Sequence, residues 1–98
     1  MLSQTACEAL KSRKRLELQY NGFVRVVEVH AVGLSKNNNP VARVWQVRGG
    51  TASTEPVGWK LLRLDQATGG VILSEASDAP RTGYKAGDRA MYRIVCEL

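Results

Sequence analysis

Apolar and polar residues alternate with a period of two along much of this chain, and the breaks in that alternation fall at glycine, asparagine and proline. Leu16, Leu18 and Tyr20 alternate with Glu17 and Gln19, which predicts a strand with one buried face. Asn21-Gly22 follows at once. Both residues tolerate positive φ, so the pair predicts a tight hairpin. The returning strand spans residues 23–34 and contains Gly33, so a bend or bulge is expected within it. Residues 35–40, Ser-Lys-Asn-Asn-Asn-Pro, have turn composition. A third strand is expected over 41–47, with Arg43 and Trp45 on one side and Ala42, Val44 and Gln46 on the other. Residues 48–58 read as a long loop, 59–64 as a fourth strand and 71–73 as a short fifth. The segment 74–88, with Pro80, Gly83 and Gly87, is expected to run irregularly over the surface, and 91–98 to be a last strand or docked extended segment.

Helical spacing occurs once. Ser3 is a suitable N-cap, and Ala6, Cys7 and Leu10 share a face, predicting a helix over 3–15. Its end carries the run Lys11-Ser12-Arg13-Lys14-Arg15, which either complements the helix dipole or forms a phosphate-contacting patch. The pattern as a whole predicts a mainly β protein: a small SH3-like or Sm-like barrel over about 16–73, a short N-terminal helix and an extended C-terminal segment from 74 to 98.

At 98 residues, with 44% hydrophobic and 23% charged residues, the chain has the composition of one globular domain rather than a disordered or disulfide-rich one. No apolar run approaches the ~20 residues that span a bilayer, and the first nine residues do not resemble an export leader. A cytoplasmic protein with no membrane partner is therefore expected. Cys7 and Cys96 could bridge if the chain ends meet, but free, buried thiols are the expectation in a reducing compartment. The net charge of +5 is unevenly placed. Residues 1–50 hold eight Lys/Arg against three Glu, and residues 51–98 hold six against six. Such asymmetry favours an anionic partner contacted by N-terminal elements.

Little in the sequence supports catalysis. One histidine and two distant cysteines do not supply metal-ligand spacing, and no nucleophile accompanies His30 in a recognisable arrangement. Neither Gly49-Gly50 nor Gly69-Gly70 is followed by the Lys and Ser/Thr of a phosphate loop. The chain is expected not to be an enzyme and to need no cofactor. Binding is better supported, because Arg25, His30, Arg43, Arg48, Lys60 and Arg63 lie on or beside predicted strands. If their registers agree they converge on one face, with Trp45 and Gln46 available for stacking and hydrogen bonding to a base or nucleotide. The plainer alternatives are a structural His30, core-packed Trp45 and Trp59, and solvated arginines.

The order of these pieces resembles the WYL domain family over about residues 8–67. The resemblance rests on a helix, Leu16-Glu17-Leu18-Gln19-Tyr20, Val26-Val27-Glu28-Val29-His30-Ala31-Val32-Gly33, the strand at 41–46, and Gly58-Trp59-Lys60-Leu61-Leu62-Arg63-Leu64-Asp65. Leu-Leu-Arg-Leu-Asp is similar to the family's Phe-Arg-Leu-Asp-Arg-Ile element, and Val-Glu-Val-His to its Val-x-Pro-His/Leu element. The family's Trp-Tyr-Leu triplet is replaced by Pro40-Val41-Ala42, and its second Arg after Leu-Asp by Gln66. The resemblance implies a ligand-sensing module for nucleic acid, such as a single-stranded oligonucleotide, or for a nucleotide-like anion. Bacterial transcription regulation or phage defence is the implied setting, here without the helix-turn-helix that accompanies such sensors. A protein-interaction or homo-oligomerisation module is the alternative.

Overall fold

The computed structural model describes residues 2–98. One helix, α1 (Leu2–Ser12), precedes six strands: β1 (Lys14–Tyr20), β2 (Phe23–Leu34), β3 (Pro40–Gly49), β4 (Gly58–Arg63), β5 (Ala67–Ala76) and β6 (Arg93–Glu97). The helix is shorter than its charge run predicts. Arg13 adopts φ 56°, which ends the helical path, and Lys14 and Arg15 belong to β1. The hairpin at Asn21-Gly22 forms as expected, with Tyr20 opposite Phe23. The fifth strand is much longer than its apolar core of three residues suggested, because it continues through Gly69-Gly70. Gly70 is an extra residue in the ladder with β1, at φ +100°. A side chain there would strike Leu2 as well as strain the backbone.

All pairing is antiparallel, in the order β4-β3-β2-β1-β5, with β6 also on β2. β2 is the common neighbour. Its first half pairs with β1 (Leu16 opposite Val27), and its second half pairs with β6 on the same edge (Val32 opposite Cys96). A bulge separates the two halves. Val29 faces Val44 and Ala31 faces Arg43, which leaves His30 as the extra residue. Close approach of β6 also requires Gly33, where a Cβ would run into the Arg93 carbonyl oxygen and Met91. β4 and β5 end the path and do not pair with each other.

The sheet has an inner and an outer face. Against the inner face, Ala6, Cys7, Ala9 and Leu10 of α1 pack on Leu16, Leu18, Val27, Val29, Val44 and Leu62. The outer face of β2 is covered by residues 77–92, where Met91 packs with Ala31 and Val41. Cover on both sides explains why every residue from 25 to 33 is buried and why the alternation in Val-Arg-Val-Val-Glu-Val-His-Ala-Val is blurred.

The expectation of free thiols is corrected. Cys7 and Cys96 form a disulfide, with Cα atoms 6.1 Å apart, and neither cysteine is free. The pairing of β6 with β2 carries Cys96 onto the inner face beside α1, so the sequence distance of 89 residues is closed by the sheet. The inference to a reducing compartment loses its support, since such bonds persist mainly in oxidising ones. No described helix is long and apolar enough to cross a membrane.

Joining Cys7 to Cys96 removes much of the freedom of the unfolded chain. Reduction with a dithiol, or the pair Cys7→Ser and Cys96→Ser, is expected to lower the unfolding free energy by about 2–5 kcal/mol. Urea denaturation checks this, and an unchanged midpoint would show that the bond constrains nothing.

Candidate functional site

At the centre of the outer face lies a carboxylate, Glu28, with no exposed surface. Arg15 Nε donates to its Oε2 at 3.0 Å, Arg81 Nε to its Oε1 at 2.6 Å, and the Asp78 backbone N–H to its Oε2 at 2.8 Å. Burial alone would push its pKa up, but the hydrogen bonds from Arg81, Asp78 and Arg15 outweigh this and hold it below the usual carboxylate value. Glu28 thus fastens residues 78–81 onto the middle of β2. Arg15 and Arg81 also reach Asp78, and Arg15 and Arg48 both reach Glu75, so one ion network runs along this side.

His30 is the second fastening. The Arg81 backbone N–H donates to Nε2 at 3.0 Å, so Nε2 is the acceptor and Nδ1 carries the proton, which it donates to the Glu28 carbonyl at 2.9 Å. With both ring nitrogens engaged and the ring fully buried, His30 presents no free nitrogen to a ligand. Around it sit Trp59 at 4.6 Å and Tyr84 at 5.3 Å between ring centroids, and Trp45 meets Trp59 edge-on at 5.4 Å. Arg81 lies over the Trp45 ring at 5.4 Å. Trp59 Nε1 donates to the Thr82 carbonyl at 3.2 Å.

Beyond this cluster, residues 83–89 border an open groove of about 700 Å³. Trp59, Tyr84, Lys85, Arg43, Asp88 and Arg89 line it. Arg43 donates to both oxygens of Asp88, at 2.6 and 3.3 Å, and its guanidinium holds that carboxyl below its usual range. The pair is internally neutral and braces the wall. Lys85 and Arg89 are exposed, and among the described residues no carboxylate pairs with either. The groove therefore combines two unpaired cations with two aromatic side chains.

The residues selected from the sequence do not gather into one basic face. Arg43 reaches the groove, while His30 and Trp45 lie behind it in the aromatic cluster. Arg48 is paired with Glu75 and Arg63 with Asp65. Arg25, Gln46 and Lys60 are together on the inner face instead. Arg25 is 3% exposed, with the Tyr20 ring at 5.0 Å, the Phe23 ring at 5.8 Å and Gln46 Oε1 3.4 Å from Nη1. Each ring contact contributes about 0.5–2 kcal/mol, well short of what a carboxylate would offer a buried cation. Tyr84, Lys85 and Arg89 were not selected. The one sequence signal is Tyr84-Lys85 enclosed between Gly83 and Gly87, with Arg89 lying beyond the second glycine. Among the described residues no group of three or more His, Cys, Asp or Glu could hold a metal.

Removing the central carboxylate by Glu28→Ala leaves Arg15 and Arg81 facing each other without it, and is expected to cost about 3 kcal/mol. Chemical denaturation measures the loss, and limited proteolysis should show residues 77–92 cut first. Burial, set first against the Glu28 carbonyl and carboxylate, lowers the His30 pKa below 6.5. Its folded pKa lies below its unfolded one, so its contribution is complete above about 6.5 and declines as pH falls through that value toward the folded pKa. The Glu28 contribution is lost in a lower window, below 4.5. Stability measured against pH should fall in two stages, and His30→Gln should abolish only the upper one.

No protein-family model matches this chain, and no curated protein or solved structure does either.

Proposed function

We propose that this protein is a non-catalytic binding module, a WYL-like small barrel, that holds a nucleotide-sized anion in the groove between β4 and residues 83–89. The observation that carries this reading is the placement of Lys85 and Arg89, exposed and unpaired, beside Trp59 and Tyr84. Phosphate oxygens suit the two cations, and a base suits the aromatic walls. A volume of about 700 Å³ lies within the usual range for small-molecule sites. The ion pair of Arg43 with Asp88 fixes the wall without cancelling the free charges. A mononucleotide, or one nucleotide of a single-stranded oligonucleotide, fits this chemistry. A sensing role in bacterial transcription regulation or phage defence follows from the family resemblance.

A second reading, pairing with another protein or another copy, has its own observation. β4 and β5 each pair on one side only, with Leu61 and Val71 exposed along them. Light scattering tests it, since a monomer at every concentration removes self-pairing.

Fluorescence titration with a mononucleotide and a short single-stranded oligonucleotide tests the first reading. Binding is expected to weaken with salt, with a logarithmic slope of about −1.4 for two neutralised phosphates. Lys85→Ala with Arg89→Ala should remove that slope and most of the affinity, and Trp59→Phe should weaken binding while leaving the slope. Absence of binding at low salt would refute the proposal.

A further inference from the structure

The inner face of the sheet carries a second charged place, on the opposite face from the groove and independent of the function proposed for it. Cross-strand pairing sets its members on one side. Tyr20 faces Phe23, Leu18 faces Arg25, Val27 faces Gln46, and Lys60 faces Val44, so all of these point the same way as the core residues Leu18 and Val44. The loop at 50–57 closes over them. Gln46 Nε2 donates to the Gly50 carbonyl at 3.2 Å, and Lys60 Nζ donates to Ser53 Oγ at 2.9 Å and to the Glu55 carbonyl at 2.6 Å.

Neither cation meets a carboxylate. Lys60 is held by a hydroxyl and a backbone carbonyl, and the Glu55 carboxylate takes no part. Arg25 is the more exceptional of the two. Among the described residues its Nε–H is buried with no acceptor, and its one hydrogen bond goes to a neutral amide at 3.4 Å. By contrast Arg15, Arg43, Arg48, Arg63 and Arg81 all pair with a carboxylate. A buried guanidinium with an orphaned donor is costly to keep, and such groups in folded proteins call for a partner. Tyr20 and Phe23 flank the guanidinium with their rings, which accept no hydrogen bond from Nε, so a planar oxyanion would be the matching partner.

We propose that Arg25, with Gln46 beside it, forms an oxyanion site under the 50–57 loop that accepts a carboxylate or phosphate group. The incoming oxygens take the Nε–H and Nη donors of Arg25. The 50–57 loop, which Lys60 tethers through Ser53 and the Glu55 carbonyl, is the element that moves to admit the ligand.

Thermal unfolding with inorganic phosphate or acetate, against sodium chloride at matched ionic strength, tests the site. The protein used carries Lys85→Ala and Arg89→Ala, so the outer groove cannot answer for it. The melting temperature is expected to rise by about 7 °C at tenfold over the Kd of the effective anion. Arg25→Met, which keeps the apolar stem, should melt no lower than its parent in chloride and should lose the response. A response to phosphate alone assigns a phosphate site, and an equal response to acetate assigns a carboxylate site. An anion response equal to that of chloride, or one retained in Arg25→Met, overturns the proposal. Should Arg25→Met not fold, the Arg25 Nε–H resonance of the unsubstituted side chain gives the same decision. A shift on titration with phosphate or acetate supports the site, and an unmoved resonance with both overturns it.

Discussion

A single buried carboxylate organises this molecule. Glu28 lies in the middle of the strand that three others share, and an unmet negative charge there would cost more than the domain could sustain. Meeting it requires Arg15 from β1 and Asp78 and Arg81 from the segment after β5. Those contacts bring residues 77–92 across the sheet, bury His30 under the Arg81 amide and place residues 83–89 next to Trp59. The groove is thus a by-product of satisfying Glu28, built from a segment with almost no regular structure of its own.

The same ion pairs recast the charge asymmetry of the chain. Cations of the first half are matched to carboxylates of the second: Arg15 to Glu75 and Asp78, Arg43 to Asp88, and Arg48 to Glu75. Part of the basic excess near the N-terminus is therefore internal complementarity between the halves. Consumption of the C-terminal carboxylates leaves Lys85 and Arg89 uncovered, so free positive charge emerges on the segment whose own composition is balanced.

Period-two patterning and turn chemistry are local, and the sequence disclosed what is local. The Asn21-Gly22 hairpin, the bounds of β2 and the opposite facing of Trp45 and Gln46 all follow from neighbouring residues. The helix end is hidden in the sequence because Lys11 to Arg15 reads as one charged run, whereas Arg13 turns the backbone and hands Arg15 to the sheet. Bulges at His30 and Gly70 were out of reach, since an extra residue shifts every later side chain without leaving a compositional mark. Partners 45 to 63 residues apart, which decide whether an arginine is free or spent, have no local signature. The cysteines belong to the same class. Their pairing depends on β6 returning to β2, and a low-complexity or periodic signal for that return does not exist.

The shared edge of β2 also dictates an order of assembly. Residues 23–27 find β1 across a two-residue turn, but residues 31–34 must wait for β6, some sixty positions later. Closing the short loop is fast and closing the long one is slow. On a ribosome the meander of β1, β2 and β3 can form as it emerges, yet its outer surface stays wet and its central acid stays hydrated until residues 77–92 have followed. A chaperone or an early protease would meet a half-dressed sheet, and residues 77–92 would determine whether it is ever covered.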